Sequence, residues 1–388
     1  MKKRKPKRRI RKSLVILFCA VLLVTLSICF LPGMIASSQL KKLGYDKATI
    51  KNIRKDGLEK NIISHQYYSD YLVQVINDGT LQKEYMYLYT VLDPERTLTA
   101  DDFLLYNRLV DKGYETDQLV NLYQNLSLRE IVPLLVFDYQ WDEGVYIQDV
   151  ISNRENNTDS AFHLSGSYIT YYQTSEDAST SSKDEILVNQ SNLLSKDYVP
   201  DDLTDVSTEH AVEGIQLKKE AAGAFTKLSA ASVEAEHSLF ASTGYIDYAT
   251  QESAYTYYVN HVGSDSADYY TERAGASEHQ TGLAVDFSLT YENDADLVNT
   301  EAYSWLQQNC ADYGFILRYP EKFSDITGRN EPDHLRYIGK DLAQKVNASG
   351  LSYDEYYLLY LAGWNSSKLI PNNTILPNTG APKFDGVR

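Results

Sequence analysis

Ser277-Glu278-His279-Gln280-Thr281-Gly282-Leu283-Ala284-Val285-Asp286-Phe287 is the stretch on which the reading of the fold turns. From Leu283 onward its residues alternate. Leu283, Val285, Phe287 and Leu289 point one way and Ala284, Asp286 and Ser288 the other, the period of a strand with one face on a core. Asp286 is therefore expected to face out of that core, into a cleft. Gly282 lets the chain turn so that His279 comes back toward Asp286. A second stretch, Glu331-Pro332-Asp333-His334-Leu335-Arg336-Tyr337-Ile338-Gly339, reads in the same way. Pro332 disfavours helix for Glu331 and predicts an extended entry. Beyond it His334 and Arg336 share one strand face, and Leu335 and Tyr337 the other.

Two histidines and one carboxylate with an open fourth position suit a catalytic zinc site. Hydrolysis there also needs a carboxylate that takes a proton from water and passes it to the leaving amine. His279, Asp286, His334 and Glu331 supply that complement. Any one of them alone is more often a satisfied structural residue. Neither stretch has the helical His-Glu-x-x-His arrangement, so spacing by itself is a weak signal.

Around these stretches the pattern is that of a compact mixed domain beginning near Asp184. Leu217, Ala221, Phe225, Leu228 and Ala231 lie at helical spacing and predict a buried helix face. Ser238–Tyr245 reads as a strand closing on Thr243-Gly244. A further helix is expected over Thr300–Tyr313, with Thr300 capping its start and Gly314 its end. On that reading Cys310 is a core residue and not a nucleophile. Residues 39–150 read as mainly helical and rich in Tyr. Tyr67, Tyr68, Tyr71, Leu72 and Val75 recur at spacings of three and four, and Glu115–Leu122 and Leu126–Val136 repeat the style. A tyrosine stripe is more often packing than a sugar platform. His163–Tyr172 alternates enough for a strand, and the polar Glu176–Lys183 reads as a linker.

The 388 residues carry 37 Lys and Arg against 53 Asp and Glu, a formal charge of −16. Nine of the basic residues lie within the first twelve positions, which leaves about −25 on the remaining 376. So acidic a body argues against nucleic acid as a partner. The basic start runs into Leu14–Leu31, eighteen residues without a charge, and the run reaches about 22 if carried to Ile35, against roughly 20 for a membrane-crossing helix. The flanking Lys and Arg place the N-terminus in the cytoplasm and the rest outside. An uncleaved anchor is the expectation, and a signal peptide cleaved near Ala36-Ser37-Ser38 is the alternative. Of three cysteines, Cys19 and Cys29 lie in the hydrophobic run, so no disulfide framework is expected outside it. Leu376-Pro377-Asn378-Thr379-Gly380 has the form of a sortase signal. Only Ala381–Arg388 follow it, without the hydrophobic stretch such a signal needs, and it is read as chance.

Taken together, Ser277–Asp286, of the form Ser-x-His-x-x-Gly-x-Ala-x-Asp, and Glu331–Gly339, close to Glu-Pro-Trp-His-x-Arg-Tyr-Val-Gly, resemble the VanY-type D-alanyl-D-alanine carboxypeptidases. These are zinc peptidases of the LAS (lysostaphin, D-Ala-D-Ala peptidase, Hedgehog) fold group. The resemblance runs from about Ile186 to Gly350. It takes in Leu187-Val188-Asn189, Asp197-Tyr198-Val199-Pro200, Gly314-Phe315-Ile316-Leu317-Arg318-Tyr319-Pro320 and Ile326-Thr327-Gly328. It implies an α+β fold with an antiparallel sheet and flanking helices. It also implies zinc held by His279, Asp286 and His334, Glu331 as base, and Gln251, Ser277 and Arg273 as substrate-contacting residues. The implied substrate is a peptidoglycan stem peptide ending in a D-amino acid.

Two departures stand out. Where the family has Ser-Gly-Tyr-Arg-Ser this chain has Gly244-Tyr245-Ile246-Asp247, so an arginine that binds substrate or the developing oxyanion is Ile246. The expected Trp after Pro332 is Asp333. The expected function remains removal of the terminal D-amino acid by a metal-activated water with Glu331 as base. The departures motivate one alternative, a weakened module that binds wall peptides without cutting them. A further alternative keeps hydrolysis but shifts the bond, as an L,D-carboxypeptidase or endopeptidase on the same polymer. The expected organisation is a basic cytoplasmic segment (1–12), a membrane anchor (13–36), a helical extracytoplasmic region (37–150), a linker containing a strand (151–183), the peptidase domain (184–350) and a C-terminal tail (351–388).

Overall fold

The computed structural model of the chain describes residues 33–93, 96–137, 143–154, 176–178, 184–289 and 294–363. The Leu14–Leu31 run, the strand expected at His163–Tyr172, linker residues 179–183 and the pentapeptide 376–380 lie outside the described residues. Among the described residues no helix is long and apolar enough to cross a membrane.

The chain divides into two compact units, with the division after Phe103. In the first, helices α1 (Lys47–Lys55), α2 (Glu59–His65) and α3 (Asp70–Asp78) follow one another. Asp46 and Ser69 cap α1 and α3 by accepting the Thr49 and Leu72 backbone N–H groups. The Ser69 cap starts α3 at Asp70, so Tyr67 and Tyr68 precede the helix that the spacing assigned them to. Tyr71, Leu72, Val75 and Ile76 form its buried face. Tyr71 packs edge-on against Tyr89, ring centroids 5.1 Å apart, and its hydroxyl accepts the Leu98 N–H. In this unit the tyrosines are packing residues with a polar end.

The division falls within α4 (Ala100–Lys112). In the second unit α5 (Thr116–Asn125) and α6 (Glu143–Asn153) flank the apolar run 126–136. That run is not one helix. Pro133 has no N–H to donate, and the chain passes from a single α turn, Leu128–Ile131, into a 3-10 turn, Val132–Leu135.

Glu176–Asp177, read as linker, instead pairs in parallel with Asn192–Leu193. Beyond them come a hairpin, β1 (Leu203–Asp205) and β2 (Gln216–Lys218), and α7 (Lys219–Glu234). Leu217 is therefore a strand residue and not the first position of the helix face. It is buried with Ala221, Phe225 and Leu228 because β2 feeds directly into α7, whereas Ala231 is only partly buried. The central sheet is antiparallel with order β3-β4-β6-β5, formed by β3 (Leu239–Thr243), β4 (Ala284–Leu289), β5 (Phe315–Tyr319) and β6 (Glu331–Tyr337). Helices α8 (Tyr248–Val262) and α9 (Ser264–Tyr270) lie between β3 and β4 in sequence. Helix α10 (Glu301–Asn309) lies between β4 and β5, and α11 (Lys340–Ser349) and the short α12 (Tyr353–Tyr356) follow β6.

Leu283, Val285, Phe287 and Leu289 enter one core with Phe225, Leu228, Leu306, Phe315 and Leu335, as the alternation predicts. Thr300 accepts the Tyr303 N–H at the start of α10, and Gly314 ends the following 3-10 turn in the left-handed region at φ 87°. Cys310 lies in this core, and burial pushes its thiol up to about 12. At pH 8 Cys310 is expected to resist iodoacetamide in the folded chain and to react after unfolding, as read by peptide mass. Rapid modification of the native protein would contradict its placement.

Candidate metal centre

The β4–β6 register places Asp286 opposite His334. Directly opposed residues of an antiparallel pair project to the same face of the sheet, with Cβ atoms about 5 Å apart. The third member comes from the turn before β4. A 3-10 turn over Glu278–Thr281 carries His279 and ends at Gly282, whose φ of 68° an L side chain rarely adopts. His279, Asp286 and His334 each offer a ligand atom, and the three atoms lie within 4.8 Å of one another.

A hydrogen bond orients the His279 ring, and carboxylate contacts flank that of His334. His279 Nδ1 lies 2.8 Å from the Gly244 carbonyl, which can only accept, so Nδ1 carries a proton, and Nε2 faces Asp286 Oδ2, 3.2 Å away. The carbonyl arrives there because the pairing of β3 with β4 shifts register between Ala241 and Thr243, just before Gly244. A Cβ at Gly244 would lie 2.6 Å from the Gln216 carbonyl oxygen, so only glycine fits. His334 turns Nδ1 to Asp286 Oδ1 at 2.9 Å and Nε2 to Glu278 Oε2 at 3.4 Å.

Burial drives the Asp286 carboxyl upward, but the two adjacent imidazoles more than reverse it, and Asp286 is held well below the usual carboxylate range. Burial likewise disfavours charge on His279 and His334. Asp286 overrides it for both, aided at His334 by Glu278, and both are raised. Three convergent donors with so strong a demand for positive charge suit a cation, which would replace the imidazole protons. Two imidazole nitrogens with one carboxylate favour zinc or a neighbouring transition metal over magnesium or calcium, which take oxygen ligands.

Glu331 opens β6. Its Oε1 lies 2.8 Å from Arg329 Nη1, and Arg329 Nε lies 3.1 Å from Glu272 Oε1. Gln251, from α8, is buried and donates through Nε2 to Thr271 Oγ1 and the Glu272 carbonyl, at 3.0 and 2.7 Å. Its amide thus holds the loop that supplies Glu272. Arg273 is bound by Asp268 through two parallel hydrogen bonds of 2.8 and 2.7 Å. Ser277 is buried, with its hydroxyl unbonded. Ile246 is partly buried, and its N–H donates to the His279 carbonyl at 3.3 Å. Burial, then the Asp286 charge, pushes the Asp333 carboxyl up, as expected beside another acid.

Residue spacing alone does not single out Glu278. It is fully buried, with Oε1 2.9 Å from Arg318 Nε and 3.2 Å from Arg336 Nη1. The two guanidiniums hold its carboxyl far below the usual range against the opposing effect of burial. One signal was present. Arg318 stands inside the apolar strand Phe315-Ile316-Leu317-Arg318-Tyr319, and an arginine buried there requires an acid.

A partly buried carboxylate between two buried, oriented imidazoles defines a protein with a single-cation centre of the hydrolytic kind. Residues 214–340 match the family described as VanY: D-alanyl-D-alanine carboxypeptidase. The putative carboxypeptidase YodJ of Bacillus subtilis (strain 168) is 33% identical over 217 residues, 53% of this chain and 80% of that protein. The bifunctional D-Ala-D-Ala dipeptidase and D-Ala-D-Ala carboxypeptidase VanXYC of Enterococcus gallinarum is 31% identical over 177 residues, 44% of this chain and 92% of that protein. Among solved structures, that of the LdcB LD-carboxypeptidase is 35% identical with a TM-score of 0.42, covering 44% of this chain and 84% of that one. The chain belongs to the VanY D-alanyl-D-alanine carboxypeptidase family.

Proposed function

We propose that this chain is a zinc-dependent carboxypeptidase that removes the terminal D-amino acid from peptidoglycan stem peptides. We further propose that it works outside the bacterial membrane, anchored by its N-terminal hydrophobic run, on a domain of the LAS fold group. The observation that carries the reading is the convergence of His279, Asp286 and His334, with the Glu331 carboxylate at the head of the strand that bears His334.

Zinc, when bound, supplies Lewis acidity that lowers the pKa of a water to about 7 and polarises a peptide carbonyl. The chain's own residues do the rest. Arg329 fixes one oxygen of Glu331, so the other is the one that accepts a proton from the attacking water. The same carboxyl then delivers that proton to the departing amine as the C–N bond breaks, leaving a shortened peptide and a free D-amino acid. His279 and His334 stay fixed through their outer ring nitrogens.

The test is incubation of the zinc-loaded protein with defined stem pentapeptides and tetrapeptides, followed by mass analysis of the products. The expected result is release of one D-alanine, lost with a chelator and restored by zinc. Release from the pentapeptide marks D,D-cleavage, and release from the tetrapeptide alone marks L,D-cleavage. Peptide binding without product over long incubation would replace the enzyme reading with that of a binding module.

A further inference from the structure

A buried chain of side chains runs from His334 to the segment beyond the sheet domain. Glu278 Oε2 and His334 Nε2 face each other at 3.4 Å, an ion-pair contact, and neither atom makes a hydrogen bond. Glu278 Oε1 is taken by Arg318 and Arg336. Arg318 in turn pairs through Nη1 with Asp354 on α12, whose other oxygen accepts from Asn189 Nδ2 at 2.7 Å. Arg336 also donates to the Asp184 and Ile186 carbonyls. Side chains of Glu278, Arg318, Arg336 and Asp354 are at most 2% exposed.

So isolated a carboxylate is costly to bury. Two guanidiniums bracket one oxygen and leave the second for the imidazole alone. An acceptor at that place selects the His334 tautomer with its proton on Nε2, which turns the Nδ1 lone pair toward Asp286 and the shared cation. Outer contacts of this kind are worth about 10- to 100-fold in metal affinity.

We propose that Glu278 is the positioning residue of His334, and that Asp354, through Arg318, holds Glu278 for that task. The C-terminal segment after residue 350 then contributes to metal binding while touching no ligand. The inference rests on the reading of His279, Asp286 and His334 as a metal centre.

The experiment measures zinc affinity of the full chain by competition with a chromogenic chelator. Glu278→Gln is expected to weaken binding about 10- to 100-fold, and Asp354→Asn to weaken it less but in the same direction. Cys310→Ala, a core truncation away from the chain of contacts, is expected to lose stability and leave zinc affinity unchanged. Unaltered affinity in folded Glu278→Gln overturns the proposal. Absence of zinc binding in the unsubstituted chain overturns the metal reading itself, a separate outcome. Should Glu278→Gln fail to fold, long-range nitrogen–proton NMR of the zinc-loaded, unsubstituted chain decides. A protonated, slowly exchanging His334 Nε2 supports the proposal, and a proton on Nδ1 overturns it.

Discussion

Glu331→Gln is expected to lower turnover of a D-alanine-ended stem peptide by about 100- to 10,000-fold, the usual weight of a general acid–base residue. Glutamine preserves the volume and a hydrogen bond from Arg329 but has no oxygen able to take up and return a proton. Glu331 is not among the three convergent donors, so zinc content and affinity are expected to stay as in the unsubstituted protein. Steady-state kinetics with metal analysis on the same preparation separates the two effects. Near-normal turnover would remove Glu331 from the mechanism. Loss of zinc alongside activity would make it a ligand instead.

Arg318→Met is expected to destabilise the fold by about 3–5 kcal/mol, the cost of removing one partner from a buried ion pair. The side chain is wholly buried and bonds to both Glu278 and Asp354. Methionine would leave two carboxylates in the interior with one cation, Arg336, against Glu278 and none against Asp354. The urea midpoint should fall with little change in slope. The loss has a definite pH dependence. The folded-state pKa of Glu278 is depressed, so the stability tied to it is present above the ordinary carboxylate pKa and disappears as pH falls through the depressed one. In Arg318→Met that depression shrinks, and acid unfolding should begin at higher pH. An unchanged urea midpoint would show the ion network to be energetically idle.

Much of the site was legible before any coordinates. A period of two from Leu283 to Leu289 needs only that one sheet face meets a core, and it placed Asp286 on the open face. Pro332 and the alternation after it did the same for His334, and cap chemistry at Thr300 and Gly314 marked the start of α10 and the end of the 3-10 turn that follows it. Leu217 was assigned to a helix because four-residue spacing to Ala221 is shared by chance across a strand-to-helix junction. Glu278 was passed over because burial of a charge depends on partners far along the chain. Arg318, Arg336 and Asp354 reach it only once the strands have paired, and no local pattern announces that meeting. The partners of Gln251 and Arg273 were hidden for the same reason, since the Glu272 carbonyl and Asp268 on α9 reach them only in the folded chain.

The register that sets Asp286 across from His334 also fixes when the chain can first hold its ion. Before β6 is made and docked, His279 and Asp286 offer two donors, and the buried acid behind the second imidazole still lacks the residue at 354 that steadies it. A chain made from its N-terminus therefore gains tight affinity only once residue 354 has joined the fold. Metal capture and completion of the fold become one event, and a truncated product is left without the chemistry.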